Sequence, residues 1–334
     1  MVKLKSLKDW IVAEDITQGA VERLPSGIPQ LDAACDGGLP RGYITQVYGP
    51  DGVGKSGAMV PYALQAQARG ERVLYIAVEP KLNRQLFYNE GVLSNTIDFV
   101  MSQDKGSPLT GDVAFDILRF ALNENNYALI VVDSVPSLIP RKAFEMEAGD
   151  TAWALVARLL SNQLPLVSSV MPTTDTALVF INQVRDNQSQ YGRDFRVFGG
   201  WAMKFYSSLN LWMRRCMSQK GDPDFGHRIK CTLDKNSFGQ PGAETTWFVR
   251  YDIGVDFCAE MFQYARDLGL ISTAGGYVRL GDIDFNSEGE RGIADAVDNY
   301  NSSKELQDAV RKAIEDYHKE VKNGLSGVPE DGAV

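Results

Sequence analysis

Short apolar runs alternate with longer stretches of helical period through most of the chain. The runs are YITQVYG (43–49), RVLYIAV (72–78), YALIVVD (127–133), ALVFIN (177–182), SLNLWMRR (208–215) and RIKCTLDK (228–235). Their length and their β-branched and aromatic content predict buried strands. Between the first three, residues 55–68 and 112–123 repeat their apolar positions as helices do. Strands separated by helices predict right-handed crossovers and a parallel sheet. The last two runs are joined by a short Gly/Pro/Asp connector, which predicts an antiparallel hairpin. The expected core, residues 25–257, is therefore α/β with a mixed, mostly parallel sheet.

The pattern changes at both ends. LKSLKDWIVAE reads as an amphipathic helix leading into a polar connector, an N-terminal arm over residues 1–24. Beyond residue 257, AEMFQYARDLGLI predicts a helix and GGYVRLG a short strand. SSKELQDAVRKAIEDYHKEVKN predicts a terminal helix with an apolar stripe at Leu306, Val310, Ile314, Tyr317 and Val321. Ser302 with Glu305 reads as its capping box. Residues 258–334 are expected to form a small α+β domain ending in a disordered tail, GLSGVPEDGAV. One internal stretch fits neither period. Val184 to Phe198 carries Arg185, Arg193, Arg196, Tyr191, Phe195 and Phe198 and ends on Gly199-Gly200. Compact domains rarely keep so long a loop without a function.

Composition narrows the class. With 334 residues, 44% hydrophobic and 23% charged, the chain reads as an ordinary soluble protein. No run of about 18 apolar residues stands out, so no membrane partner is expected. The N-terminus lacks the apolar run of a secretory signal. Cys35, Cys216, Cys231 and Cys258 form no CxxC pair, which favours reduced thiols and a cytoplasmic location over disulfides or zinc. The net charge of −9 is concentrated at the end of the chain, where residues 281–334 hold thirteen acidic and six basic residues. The body is nearly neutral, and basic loops on it can still meet phosphates.

Chemistry enters at GPDGVGKS, residues 49–56, which fits GxxxxGK[ST] between a strand and a helix. Gly49, Pro50, Asp51, Gly52, Val53 and Gly54 would let backbone N–H groups close around the phosphates of ATP. Lys55 would reach the β- and γ-phosphates, and Ser56 would ligate Mg²⁺. Asp133, at the end of a buried strand, is placed to hold the Mg²⁺ water network. Glu79 is placed to orient an attacking water and Gln183 to sense the γ-phosphate. Taken alone, Asp133 is equally a turn cap, Glu79 a solvated strand end and Gln183 loop filler. The P-loop upstream is what weights the functional readings.

The ordered set GPDGVGKS, YIAVEP, IVVDS and FINQVR followed by GGWAMKFY closely resembles the bacterial RecA recombinases, from about Leu24 through the C-terminal helices. The resemblance implies a RecA-like P-loop NTPase core. It makes Glu79 the water-activating glutamate, Asp133 the Mg²⁺-network aspartate and Gln183 the γ-phosphate switch. Residues 145–153, with Met146 and Trp153, match the first DNA-binding loop, and 184–198, with Arg185, Tyr191, Arg193 and Arg196, the second. Arg158 and Ser161 match backbone-contacting positions, and Gly199 and Gly200 match glycines close to DNA phosphates. Lys204-Phe205 matches the subunit-interface pair, and Lys204 and Lys235 would reach a neighbour's ATP in trans. Several positions depart from the family. Leu86 stands in place of an adenine-stacking tyrosine, Ser237 of a second trans lysine, Pro165 of a DNA-contacting arginine and Trp201 of an asparagine. These differences point to a divergent member, such as a phage-encoded one of the UvsX branch.

The implied function is a DNA-dependent ATPase that forms a helical homo-oligomer on single-stranded DNA and pairs it with double-stranded DNA. Such a protein needs sequence-blind phosphate contacts and aromatic side chains for bases. The second loop offers both, although Asp186 and Asp194 offset its arginines, so a lone subunit would bind weakly. The alternative is a RecA-like mediator paralogue that loads another recombinase. Single-strand-binding and mediator proteins are further expected partners.

Overall fold

The computed structural model describes residues 21–79, 81–82, 84–102, 108–145, 152–186, 195–216 and 226–326. Residues 1–20 of the expected arm, residues 327–334 of the expected tail, Met146, Tyr191 and Arg193 lie outside the described residues, whereas residues 324–326 of that tail belong to the last helix. The chain enters at β1 (Arg23–Leu24), which pairs antiparallel with β2 (Leu39–Pro40) across α1 (Pro29–Ala34). The P-loop strand β3 (Tyr43–Gly49) leads to α2 (Met59–Ala68), β4 (Val73–Ala77), α3 (Gln85–Asn89) and β5 (Ile97–Val100). Next come α4 (Gly111–Glu124), β6 (Leu129–Asp133), α5 (Ala152–Val170) and β7 (Ala177–Asp186). β8 (Phe195–Val197) returns along the end of β7, and α6 (Gly200–Tyr206) precedes β9 (Leu209–Arg215), β10 (Gly226–Asn236), β11 (Glu244–Arg250) and β12 (Gly254–Val255).

The central sheet runs in the order β12-β11-β10-β9-β3-β7-β6-β4-β5. Pairing is parallel from β9 through β5 and antiparallel from β12 to β9. The mixed, mostly parallel sheet and its hairpin are as the pattern predicts. β5 and β11 escaped it, because IDFV is short and ETTWFVR opens on polar residues.

Both faces of the parallel strands are buried, which explains their unbroken apolar runs. Along β4, Val73, Tyr75 and Ala77 join a cluster with Tyr62 and Phe87, whereas Leu74 and Ile76 join Phe115, Leu160 and Phe180 on the opposite face. α5 illustrates the difference between composition and placement. The stretch Ala154–Thr173 has a mean hydropathy of 1.2 and is, by length and composition alone, apolar enough to cross a membrane, contrary to the reading of the sequence. One face of it, with Leu160, Leu164 and Val167, packs in the second cluster.

Two local readings are corrected. The helix expected from residue 55 starts at Met59, because residues 55–58 turn into it from the phosphate loop. A helix the pattern does not show, α8 (Ile293–Ser302), precedes the predicted terminal helix, which forms as α9 (Lys304–Ser326), so the expected cap at Ser302 moves to Ser303. Ser302 ends the first, its Oγ bonded to Asp298 O at 2.9 Å, and Ser303 Oγ accepts from the Leu306 N–H at 3.4 Å at the start of the second.

α7 (Phe257–Asp267), β13 (Ile271–Ala274), β14 (Tyr277–Leu280) and β15 (Ile283–Asp284) join α8 and α9 around a separate cluster of Phe262, Phe285, Tyr300 and Val310. Glu260 of α7 joins this unit to the sheet. It is buried and accepts from the Phe248 N–H at 2.9 Å and from Gln30 Nε2.

Candidate functional site

The phosphate loop follows β3 and turns directly into α2. Gly52 and Gly54 take φ of +71° and +94°, conformations that glycine adopts without steric cost. Among the described residues, none of the backbone N–H groups of residues 51–57 donates to another protein group. A concave run of unspent N–H donors before a helix is an anion cradle, so the residues fit a nucleotide triphosphate. Lys55 is buried inside it and donates from Nζ to Gly49 O at 3.0 Å and Pro50 O at 2.7 Å. Burial lowers its pKa, and the charges of Asp51, Asp133 and Glu79 act the other way.

Parallel register brings the remaining groups to the same edge of the sheet. Ala77 of β4 is level with Asp133 of β6, and Asp133 with Ile181 of β7. Ser56 Oγ donates to Asp133 Oδ2 at 2.6 Å, so the expected metal ligand and the expected metal-network carboxylate are in direct contact. The same oxygen accepts from the buried Tyr75 hydroxyl at 2.6 Å, a contact the sequence reading missed. Glu79 stands beside them, where its N–H donates to Asp133 O at 3.0 Å and its Oε2 accepts from Ser134 Oγ at 3.2 Å. Gln183 is level with Gly49, the first residue of the loop motif.

Within the described residues, the two ends of the long irregular stretch pair with each other. β7 and β8 form an antiparallel ribbon that pairs Val184 with Val197, Arg185 with Arg196 and Asp186 with Phe195. Arg185 and Arg196, directly opposite, therefore share one face of it, and both are exposed. Asn182, also missed, is fully buried and closes the base of the ribbon through Nδ2 to Phe198 O at 2.7 Å. Two aromatic side chains expected to face DNA instead pack on the scaffold. The Phe195 ring lies 4.9 Å from that of Trp212, and Phe198 packs against the second core cluster.

Comparison with known proteins settles the family. The model of the RecA N-terminal domain matches residues 8–256. This chain belongs to the RecA family. A Protein RecA of Deinococcus radiodurans is 32% identical over 298 residues, 88% of this chain and 80% of its own. That of Thermus thermophilus is 32% identical over 312 residues, covering 88% and 90%. A mitochondrial DNA repair protein recA homolog of Dictyostelium discoideum is 32% identical over 274 residues, covering 81% and 59%.

The other positions carried from the RecA family have defined surroundings. Gly199 and Gly200 take φ of +83° and +65°, and they turn the ribbon into α6. A Cβ on Gly199 would meet Leu160 Cδ1 at 2.7 Å, while one on Gly200 would meet nothing within 4 Å. Trp201 is 83% exposed, with Lys204 Nζ 5.7 Å from its ring centroid. Trp153 lies at the start of α5, and Arg158 and Ser161 are exposed further along it. Lys235 has a different setting from the one expected of a group reaching a neighbour. Its Nζ donates to Ser207 O at 2.6 Å, Lys204 O at 3.0 Å and Phe205 O at 3.3 Å, capping the C-terminal carbonyls of α6.

Proposed function

We propose that this RecA-family chain is a DNA-dependent ATPase that assembles as a helical filament on single-stranded DNA and carries out homologous pairing and strand exchange. One observation carries the reading: β7 lies between the phosphate-loop strand β3 and the Asp133 strand β6, and the same strand runs out into the arginine-bearing ribbon. Nucleotide groups and phosphate-binding groups are thus joined by one element.

In this reading the loop N–H groups and Lys55 hold the triphosphate of ATP, and Lys55 exchanges its two carbonyls for phosphate oxygens. Ser56 and Asp133 would hold Mg²⁺, Ser56 directly and Asp133 through water; the ion would neutralise charge developing between the β- and γ-phosphates. Glu79 orients water toward the γ-phosphate and accepts its proton, while Gln183, at the root of the ribbon, meets the γ-phosphate edge. Arg185 and Arg196 bind DNA phosphates, and Gly200 gives the backbone room to approach them. Repetition along a filament multiplies a weak single-subunit grip, and an open head-to-tail contact produces the helix. Residues 1–24 serve as the arm of that contact, with Lys204 and Lys235 at the opposite face.

ATP hydrolysis by the purified chain should rise severalfold with single-stranded DNA, and electron microscopy with a non-hydrolysable ATP analogue should show helical filaments. Hydrolysis indifferent to DNA, or closed rings, would refute the proposal. Strand exchange by the purified chain alone would exclude the mediator reading.

A further inference from the structure

The cavity that opens at the phosphate loop continues well past it. Its volume is about 420 Å³, and it runs from Gly52, Gly54 and Ser56 to Leu86, Glu90 and Val249. Leu86 lies in α3 and Glu90 directly follows that helix, four residues on, with its N–H donating to Leu86 O at 3.3 Å. That spacing puts both side chains on one face of the turn. The Glu90 carboxylate packs against the backbone of Gly254, where a Cβ would stand 2.1 Å from Oε2.

The other charged residues on the cavity wall, Arg250 and Asp252, pair with each other at 2.7 Å and 3.0 Å. Glu90 has no hydrogen-bond donor or cation among the described residues. Burial pushes its carboxyl up to about 7. A half-buried carboxylate with no protein donor is free to accept from a ligand, so a ligand that brings an N–H there gains more than one that does not.

A nucleotide with its phosphates in the loop puts its base toward the far end of this cavity. Leu86 and Val249 offer a ring an apolar wall, and Glu90 offers an acceptor at its edge. We infer that Glu90 is a specificity-determining residue of the nucleotide site, accepting a hydrogen bond from the exocyclic amino group of adenine. Ionised Glu90 sets acceptor against acceptor with a purine that carries a carbonyl oxygen at that position, and disfavours it. The inference rests on the ATP reading above and deepens it.

The test uses the whole chain, without DNA, in the presence of Mg²⁺. ATP, GTP, 2′-deoxy-ATP and purine riboside triphosphate, the last lacking the amino group, compete with a fluorescent ATP analogue. The unmodified chain should bind ATP about tenfold more tightly than purine riboside triphosphate. Glu90→Leu should bind the two equally, and Glu90→Gln, which keeps a carbonyl oxygen, should retain part of the preference. The amino-less analogue reports within each variant that the phosphate end of the site is intact. Equal affinities in the unmodified chain, or full discrimination in Glu90→Leu, overturn the inference and leave ATP binding standing. Loss in Glu90→Leu of discrimination against 2′-deoxy-ATP alone also overturns it, moving Glu90 to the ribose. Failure of the unmodified chain to bind any of these triphosphates overturns the ATP reading and this inference together.

Discussion

Tyr75 donates its hydroxyl hydrogen to Asp133 Oδ2 at 2.6 Å, sharing that oxygen with Ser56. Its ring is gripped by Phe87 and Phe99, with centroids 5.2 and 5.7 Å away. Tyr75→Phe keeps that packing and removes one donor from the carboxylate. Stability should fall by only about 1 kcal/mol. The Mg²⁺ concentration needed for half-saturation with ADP should rise severalfold, while nucleotide binding without Mg²⁺ stays unchanged. A magnesium titration followed by nucleotide fluorescence decides this; an unchanged midpoint means that Ser56 alone orients Asp133.

Lys235 closes the end of α6 through three carbonyls. Lys235→Met keeps the apolar stem and deletes the cap, so stability should drop by about 1 kcal/mol. Amide exchange at residues 205–207 should quicken. If ATP turnover falls while exchange there is untouched, the lysine acts on nucleotide and not on α6.

Glu260 makes stability depend on pH in a defined direction. Burial raises its carboxyl to about 7 from an ordinary 4.5, against the opposing Phe248 and Gln30 hydrogen bonds. The folded state therefore holds the proton more tightly than the unfolded one. Its stabilising contribution is complete below pH 4.5 and is lost as pH rises toward 7, an effect on the order of 3 kcal/mol. Glu260→Gln removes this slope. The melting temperature of the variant relative to the unmodified chain should climb between pH 5 and pH 7.5; parallel curves would refute the assignment.

The two glycines at the ribbon's end separate fold from function. Gly199→Ala combines a positive φ with a contact 2.7 Å from Leu160 Cδ1, and should cost about 2–3 kcal/mol. Gly200→Ala meets open space, so only backbone strain of about 1 kcal/mol applies. Its larger effect should be on single-stranded DNA affinity, measured by anisotropy, because the added methyl holds phosphate away from the backbone. Equal melting losses in the two variants would contradict this.

Arg196 is exposed and level with Arg185 on the ribbon. Arg196→Ala should weaken single-stranded DNA binding about equally across sequences and reduce the salt slope by about 1. A loss confined to some sequences would instead mean a contact with a base.

The parts legible in the sequence are those whose residues are local in the chain. The phosphate loop is one such segment, and the alternating strands and helices that place Asp133 and Glu79 follow from short-range periodicity. Tyr75 was invisible because a tyrosine inside RVLYIAV reads as core, which it also is; only the β4–β6 register shows its hydroxyl reaching Asp133. The ribbon was hidden because its pairing depends on Asn182 holding Phe198, sixteen residues away. Only Ser302 has a glutamate three residues on, so the capping-box spacing points to it; the structure instead ends α8 at Ser302 and caps α9 with Ser303, whose third neighbour is Leu306. Glu90 carries no motif, and its surroundings come from Gly254, far along the chain.

The position of β7 limits how a nucleotide could act on DNA. The strand is hydrogen-bonded in parallel to β3 on one side and β6 on the other, from Ala177 onward. Sliding it by one residue would break both ladders and exchange its buried faces. A signal from the phosphates therefore cannot travel as a translation of the strand. In the proposed reading it would enter at residues 181–183, where the two ladders end. Asn182 ties that end of β7 to the residues leading into α6, so a single buried amide couples the nucleotide edge of the sheet to the glycine pair.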